Sequence, residues 1–279
     1  MKLTTKIISG IILSAFALSL LFIIGFSFTD RKYFKRAYNN TITRIPQDNM
    51  MGIEVEPYRV IVLDTERPDT ENNDAYGFGY DECGLFINPA ATPDKENKLF
   101  IPEALHGFIS AKTNDDTLTI RIKIDELRKK YKKEDADNYT FFAGINLHLY
   151  TSNTNVINKI TSVQTKISNI ETDTIRVNAW GDIHIDSCKA IVINPVLEEN
   201  YRKLTVKNSY ARTIHLDLDR INNWNIENCK IKEENLTGSN RHSITKHRNE
   251  SGTINWYPKN KDAELNIKVQ GDVTQIIFQ

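Results

Sequence analysis

The sequence has few of the residues that mark several classes of protein. It contains three cysteines in 279 residues, too few for a disulfide scaffold and without the spacing of a metal site. Twelve glycines and eight prolines are too few for a low-complexity linker protein. Lysine plus arginine and aspartate plus glutamate number 36 each, so the formal net charge is zero. A neutral chain has no overall field that attracts nucleic acid, and we predict no nucleic-acid partner.

The common catalytic motifs are also missing. No G-x-S-x-G, H-E-x-x-H, EF-hand or Walker pattern occurs in the sequence. We therefore assign no catalytic, cofactor-binding or metal-ligating residue and expect no cofactor. Hydrophobic residues make up 40% of the chain and charged residues 26%, which is the composition of a folded globular protein.

One long uncharged run, Ile7–Phe28, lies near the amino terminus. At about 1.5 Å per residue it is long enough to span a bilayer core of ~30 Å. Lys2 and Lys6 precede it, as in a secretory signal. We predict a cytoplasmic n-region over residues 1–6 and an uncleaved transmembrane signal anchor over residues 7–28. A cleaved signal peptide is the alternative.

Two observations bear on the orientation of this anchor, and they favour opposite answers. A long β-rich chain behind a single anchor is typical of an exported domain, so we predict a periplasmic or extracellular location. Four basic residues at 31–36 outnumber Lys2 and Lys6 before the run, and the positive-inside rule then favours the cytoplasm. A cytoplasmic scaffold is therefore the competing hypothesis.

Residues 29–50 are predicted to form a stalk, and residues 51–140 a β-rich entry and capping region with one short helix. Within the latter we predict a strand over Gly52–Thr65 and a loop-rich segment over 66–95 with one apolar stretch, Leu85–Ile87. Asp116–Ile124 alternates apolar and polar residues and predicts a strand with one buried face. A helix is predicted from Asp125 to about Lys133, because Asp125 can cap it and apolar residues recur four positions apart.

A repeat begins near residue 141. The segments Ile183–Cys188, Leu204–Ser209 and Trp224–Cys229 share one template and follow each other at a regular interval along the chain. Each has an apolar–polar–apolar stretch, then a charged residue, then Ser or Asn, then a small residue. Further apolar positions extend this series in both directions: Ile145, Leu147, Val163, Ile244, Leu265 and Ile267.

A second apolar series lies between the first strands and recurs at the same interval. Its members are Ile175, Val177, Ile191, Ile193, Ile214, Leu216, Leu236, Ile254, Trp256 and Val273. Two short strands in every repeat are the signature of a solenoid, whose stacked turns join their apolar strips into one core. We predict an all-β fold: a single-stranded parallel β-helix, or β-solenoid, of about 20 residues per turn over residues 141–279, behind one N-terminal transmembrane helix. A β-sandwich is the alternative.

The strand DDTLTIRIKID and turns such as GDIHIDSCKAIVI resemble the autotransporter-adhesin head domain, known as the GIN domain. The resemblance covers roughly residues 50–279. It implies an envelope protein of the Bacteroidetes type with an adhesin-like solenoid. That family has no defined functional residues, so the resemblance assigns none here.

Several outward positions could carry chemistry. Alternation turns His184 and His215 outward, and Asp182, Asp186, Asp217 and Asp219 lie near strand ends. The template predicts two columns of neighbours across turns, His184–Thr205–Asn225 and Asp186–Lys207–Glu227. Neither column puts two carboxylates side by side, as an acid/base pair or a metal site on a β-helix would need.

Cysteines and aromatic residues complete the candidate positions. Cys188 and Cys229 occupy one template position two turns apart, ~9–10 Å by the strand spacing, which is too far for a disulfide. We predict free thiols, with Cys83 in a loop the most reactive. An aromatic cluster of Tyr139, Phe141, Phe142 and Tyr150 predicts either a capping core or a sugar-stacking platform.

Two functional classes follow from these patterns. The first is a noncatalytic, membrane-anchored envelope module that binds an envelope protein or a glycan. The second, the alternative, is a polysaccharide lyase or hydrolase on the same β-helix fold. The mixed short polar columns favour the noncatalytic module.

Overall fold

The computed structural model describes residues 14, 16, 18–20, 42–66, 76–78, 84–131, 140–151, 156–160, 164–198, 202–221, 223–247 and 252–270. Among these residues, no helix is long and apolar enough to cross a membrane. Most of the predicted span Ile7–Phe28 and of the predicted stalk lies outside them. The five described residues of the span are helical, and the side chains of Phe16 and Leu18 are 68% and 65% exposed.

The described structure is mostly β-strand. The first strands are β1 (Ile42–Arg44), β2 (Met50–Glu54), β3 (Val60–Glu66), β4 (Tyr76–Phe78), β5 (Gly84–Asn88), β6 (Lys98–Pro102), β7 (Ile109–Asn114), β8 (Thr117–Lys123), β9 (Thr140–Ala143), β10 (Asn146–Tyr150) and β11 (Val156–Ile160). The remaining strands are β12 (Gln164–Ser168), β13 (Glu171–Ala179), β14 (Ile183–Asp186), β15 (Lys189–Leu197), β16 (Leu204–Lys207), β17 (Tyr210–Asp217), β18 (Trp224–Glu227), β19 (Lys230–Gly238), β20 (Arg241–His247), β21 (Thr253–Pro258) and β22 (Glu264–Gln270). Apart from the helical residues near the amino terminus, the described helical segments are α1 (Ile124–Tyr131) and two 3₁₀ turns, Pro93–Lys95 and Glu103–Leu105.

Strands β12 to β19 alternate between two large sheets. The short-strand sheet has the order β18-β16-β14-β12-β5-β10-β6-β2, and the long-strand sheet has the order β21-β19-β17-β15-β13-β11-β3-β8-β7. Between β12 and β19, neighbours in both sheets are parallel, so each turn adds one strand to each sheet. The chain forms a β-solenoid, as predicted, and the solenoid has about five turns. The β-sandwich alternative is wrong, because sandwich sheets are built from antiparallel pairs.

The register across turns confirms the sequence template. His184 pairs with Thr205, and Thr205 pairs with Asn225. In the neighbouring column, Lys207 lies between Asp186 and Glu227. Residues one repeat apart in the sequence are therefore direct neighbours on adjacent strands.

A left-handed residue turns the chain out of β12, β14, β16 and β18. Asn169, Ser187, Asn208 and Asn228 have φ angles of 57°, 55°, 49° and 54°. Asparagine tolerates this conformation better than most residues with a side chain, because its short polar group can bond locally. The Ser or Asn of the template is thus the corner residue of the turn.

A second corner lies inside β13, β15, β17 and β19. The paired register skips Asp173, Ile191, Arg212 and Lys232, and all four are exposed. Only Ile193 of the predicted apolar pair Ile191/Ile193 faces the core, whereas Ile191 is 50% exposed. The assignment of Ile191 to the apolar strip is wrong, because the corner interrupts the two-residue alternation on which it depends.

The core is a stack of aliphatic columns between the two sheets. Ile167, Ile185 and Val206 from the short strands and Ile193 and Ile214 from the long strands are fully buried. Burying each such side chain contributes about 1.5–3 kcal/mol of transfer free energy. Stacked turns supply this burial, which no single turn could provide for itself.

The parallel pairing also includes strands from well before residue 141. Strand β5 lies between β10 and β12, so Ile87 has Leu149 on one side and Ile167 on the other. Leu85 and Ile87, predicted as a short apolar stretch inside a loop, are fully buried core residues. The strand that contains Leu147 does not pair with β12, because β5 lies between them. The boundary at residue 141 itself stays a prediction.

Antiparallel strands and a helix lie at the amino-terminal end of the stack. The predicted strand Gly52–Thr65 is two strands in different sheets, β2 antiparallel to β6 and β3 parallel to β8. Pro57 lies between them and has no N–H for a sheet hydrogen bond. The predicted strand 116–124 and the following helix are confirmed by β8 and α1, and Leu127 of α1 is fully buried.

At the other end, β20 and β22 form a two-stranded parallel sheet. Ile244 pairs with Ile267 in it, as the forward extension of the repeat predicts. The predicted strand Thr274–Phe278 and Val273 lie outside the described residues.

Candidate functional site

The outward face of the long-strand sheet carries a row of three amide side chains, one imidazole and one guanidinium. Arg176 pairs with Asn194, and His215 pairs with Asn235, which pairs with Asn255. Asn194 directly follows Ile193, His215 directly follows Ile214, and Ile193 pairs with Ile214. The row therefore continues across five strands: β13, β15, β17, β19 and β21. We call these residues the amide row. The Nδ2 group of Asn255 donates a 2.9 Å hydrogen bond to Oδ1 of Asn235, which fixes two of its side chains.

A second outward row runs beside the amide row, two residues further along β15, β17, β19 and β21. It contains Val196, Asp217, Thr237 and Tyr257. Asp217 pairs with Thr237, and Thr237 pairs with Tyr257, whose side chain is 52% exposed. The row mixes an aliphatic, an acidic, a hydroxyl and an aromatic group.

Parts of both rows border a groove of about 320 Å³. Its lining residues come from β15, β17, β19 and the turns after them: Asn194, Pro195, Val196, Glu198, His215, Leu216, Asp217, Arg220, Asn235 and Thr237. This volume lies at the lower end of the ~300–1,000 Å³ typical of small-molecule sites.

The charged groups beside this groove are paired with each other. Arg220 Nη1 lies 3.2 Å from Glu198 Oε2, and Lys259 Nζ lies 2.6 Å from Asp217 Oδ1. The groove is therefore bordered by two ion pairs, which leave its lining close to electrically neutral.

Asp219 accepts hydrogen bonds from several residues of the last turns. The N–H and Oγ–H of Ser239 donate to it at 2.9 and 2.8 Å, and Asn240 Nδ2 donates at 3.3 Å. Lys259 Nζ lies 2.9 Å from Oδ2, and His242 Nε2 lies 3.1 Å from Oδ1. The carboxylate ties together residues of β20 and of the turns that follow β17, β19 and β21.

These contacts keep Asp219 ionised. Partial desolvation acts to raise its pKa, but the Ser239 N–H and hydroxyl, Lys259 and His242 outweigh it and hold the pKa well below the usual range. A general acid in glycoside hydrolysis needs the opposite shift, a raised pKa that keeps the carboxyl protonated. Asp219 is therefore built as a structural anion.

The other two predicted carboxylates also serve the scaffold. Asp182 Oδ1 accepts the backbone N–H of Lys203 in the next turn at 2.9 Å. Asp186 accepts hydrogen bonds from Asn208 Nδ2 and Ser187 Oγ, and the Asn208 bond is the main cause of its lowered pKa. The structure thus brings Asp217 and Asp219 together through Lys259 and leaves Asp182 and Asp186 in the short-strand sheet.

The two histidines face outward on different sheets. His215 is exposed and lines the groove. His184 lies on the short-strand sheet beside Lys166 and Thr205, and its partial burial lowers its pKa. In the adjacent column, Lys207 Nζ lies 2.7 Å from Glu227 Oε2. This face presents a charge-paired ladder.

The predicted aromatic cluster is divided between the core and the surface. Phe142 is buried, whereas Tyr150 faces outward and meets Phe100 edge-on at 5.4 Å. Beside them, the rings of Phe86 and His148 stack at 4.8 Å. Tyr139 and the side chain of Phe141 lie outside the described residues. The burial of Phe142 fits the predicted capping core, and the sugar-stacking platform stays a prediction.

Both described cysteines are free thiols at the corner that follows the left-handed residue. Cys188 Sγ lies 3.3 Å from the carbonyl oxygen of Asp186, and Cys229 Sγ lies 3.2 Å from that of Glu227. Ser209, between them in the stack, donates to the carbonyl oxygen of Lys207 in the same way. The small residue of the template therefore satisfies a corner carbonyl. Cys83 lies outside the described residues.

Sequence patterns did not single out the amide row. Asn194 lies one repeat before His215 in the sequence, and Asn235 and Asn255 lie one and two repeats after it. Periodic asparagine at the His215 position was the available signal. Within the described part of the chain, no three His, Cys, Asp or Glu side chains come together as a metal site would require.

No family model and no curated protein sequence matches this chain. Solved structures do align with it. A candidate adhesin from Bacteroides fragilis NCTC 9343 is 15% identical, with 81% of this chain and 96% of that chain covered and a TM-score of 0.45. A candidate lipid-binding protein from Parabacteroides distasonis ATCC 8503 is 12% identical, with 82% and 97% covered and a TM-score of 0.41. A candidate adhesin from Parabacteroides merdae ATCC 43184 is 10% identical, with 83% and 98% covered and a TM-score of 0.27.

Proposed function

We propose that this chain is a noncatalytic, adhesin-like binding module of the cell envelope. The observation that carries the proposal is the sharing of Lys259 by Asp217, which lines the groove, and Asp219, which lies in the turn after the same strand. Both are engaged with a cation that belongs to the fold. They are therefore poorly placed to act on a substrate.

Glycoside hydrolysis needs two carboxyl groups in different protonation states on opposite sides of the scissile bond. Here the pKa of Asp219 is held low, and Lys259 lies between the two groups. The proposal disfavours the alternative of a polysaccharide lyase or hydrolase on these grounds.

The solenoid supports a binding role through its geometry. Outward side chains repeat at the strand spacing of ~4.8 Å, and the inward aliphatic columns hold the backbone beneath them. Such a face can change its outward residues without disturbing the core. It suits a rigid contact surface for an envelope protein or a glycan.

The proposal includes an N-terminal anchor and an exported domain. The uncharged run Ile7–Phe28 supports the anchor, as do the exposed apolar side chains of Phe16 and Leu18 in a helical backbone. The proposed location is the membrane, with the solenoid in the periplasm or outside the cell. The resemblance to the GIN domain agrees with this assignment and stays part of the proposal.

An activity screen tests the noncatalytic assignment. The full-length protein in detergent is incubated with neutral and acidic polysaccharides, and new reducing ends and unsaturated products are measured. We expect no turnover above that of a heat-inactivated sample. Turnover that disappears in Asp217→Ala or Asp219→Ala, but persists in Asp182→Ala, would contradict the noncatalytic assignment and support a polysaccharide lyase or hydrolase.

A further inference from the structure

The groove on the long-strand sheet has the hydrogen-bonding character of a sugar site. Asn194, His215 and Asn235 lie side by side on adjacent strands, and Thr237 stands in the second row. An asparagine amide both donates and accepts hydrogen bonds, and so does a threonine hydroxyl. A sugar hydroxyl also does both. The lining therefore offers complementary partners to a surface covered with hydroxyl groups.

The charges of the groove favour a neutral ligand. Glu198 already pairs with Arg220, and Asp217 already pairs with Lys259. A charged ligand would gain its main contact only by displacing one of these partners. A neutral polyhydroxyl ligand can accept from Arg220 and donate to Asp217 while both pairs stay in place.

The surface extends beyond the groove in both directions across the strands. Arg176 continues the amide row on one side and Asn255 on the other. Five strands at ~4.8 Å per step make this row ~19 Å long. Tyr257 ends the second row with an exposed ring, which can pack against the apolar C–H face of a sugar. An elongated polar row with one aromatic group suits a chain of sugar residues better than a single compact molecule.

We propose that the long-strand face binds a neutral oligosaccharide chain laid across the strands, with one sugar residue seated in the groove between Asn194, His215 and Asn235. The inference rests on the proposed binding function and names its ligand class. His215 is the central contact, and Thr237 forms the wall of the seat. The short-strand face, with its ion-paired column and stacked rings, is not part of the site.

Calorimetric titration of the full-length protein in detergent tests this site. The probes are short neutral oligosaccharides of glucose, xylose, mannose and galactose, with oligogalacturonate as the acidic comparison. Two variants address the site: His215→Ala removes the central contact, and Thr237→Trp fills the groove. The matched control is His184→Ala, an outward histidine on the other sheet. Melting temperatures of all three variants establish that they are folded.

We expect at least one neutral oligosaccharide to bind, with affinity reduced about tenfold by His215→Ala and more by Thr237→Trp, and unchanged by His184→Ala. Binding of oligogalacturonate alone would overturn the neutral ligand class. Binding that survives Thr237→Trp, or falls equally in His184→Ala, would overturn the position of the site. Absence of binding to all probes would reject the glycan inference and leave a protein ligand for the module. Cleavage of a probe would instead reject the noncatalytic function itself.

Discussion

Lys259 Nζ lies 2.9 Å from Asp219 Oδ2, although 40 residues separate the two in sequence. The contact reaches from the turn after β17 to the turn after β21, across the turn that contains Ser239. Because Lys259 also contacts Asp217, one cation is shared by two acidic groups at this end of the sheet and offsets one of their two negative charges. The arrangement links the last turns of the solenoid to each other.

Replacing Asp219 by Asn should destabilise the fold. The substitution keeps the side-chain size but removes the charge. One of the two oxygens that accept hydrogen bonds from Ser239 becomes an NH₂ group, which cannot accept them. Loss of charge-assisted hydrogen bonds of this kind costs about 1–3 kcal/mol. Urea unfolding at neutral pH, followed by circular dichroism, measures the difference. Asp173→Asn, at an exposed corner, is the control and should change stability little.

The same carboxylate predicts acid sensitivity. Its pKa is lower in the folded chain than the ordinary ~3.9, so the folded state binds fewer protons than the unfolded state. Its contribution is complete above that ordinary value and is lost as pH falls below it. We expect the stability difference between the natural chain and Asp219→Asn to shrink between pH 5 and pH 3. A difference that grows on acidification would contradict the role of an ionised Asp219.

The left-handed corner at Asn228 predicts different costs for two small substitutions. Asn228→Ala should destabilise the chain by about 1 kcal/mol, because alanine lacks the local bonding that eases a φ of 54°. Asn228→Gly should be better tolerated than Asn228→Ala, since glycine adopts this conformation without a Cβ clash. Denaturation midpoints of the two variants, compared side by side, check this order. Alanine equal to glycine would show that the corner relaxes out of the left-handed region.

The cysteines should be thiols that react slowly in the folded protein. Burial raises the pKa of both Cys188 and Cys229, so little thiolate forms near neutral pH. Cys188 is buried and Cys229 is half-buried, so Cys229 should be alkylated first. Intact-mass analysis follows the native reaction over time.

Under denaturing, non-reducing conditions we expect all three cysteines, including Cys83, to be alkylated. A Cys188–Cys229 bridge would contradict the stacking register, which places Ser209 between them.

The proposed orientation predicts an active reporter on the far side of the membrane. Alkaline phosphatase fused after Gln279 folds only outside the cytoplasm, so cells expressing the fusion should show phosphatase activity. A β-galactosidase fusion at the same position is the complementary control and should be inactive. The reverse pattern at equal expression would support the positive-inside count at residues 31–36.

The sequence by itself determined the period of the solenoid and the inward strip. Both properties can be read along the sequence, because stacked parallel turns require apolar residues to recur at the repeat length. The columns His184–Thr205–Asn225 and Asp186–Lys207–Glu227 could be written from that period alone, and the structure pairs them so. The left-handed corner was visible as a repeated Ser or Asn, although its conformation was not.

Only the tertiary structure decided which outward residues share a surface. The corner at Ile191 resets the alternation within the long strands, so side chains beyond it change face in a way that a two-residue period does not show. Strand β5 lies between β10 and β12, where strands distant in sequence bury Leu85 and Ile87. The loop-rich sequence around these two residues does not show that they will be buried. Likewise, Lys259 reaches Asp217 because the turns stack in one register, and the distance between their atoms follows from the packing of the whole stack.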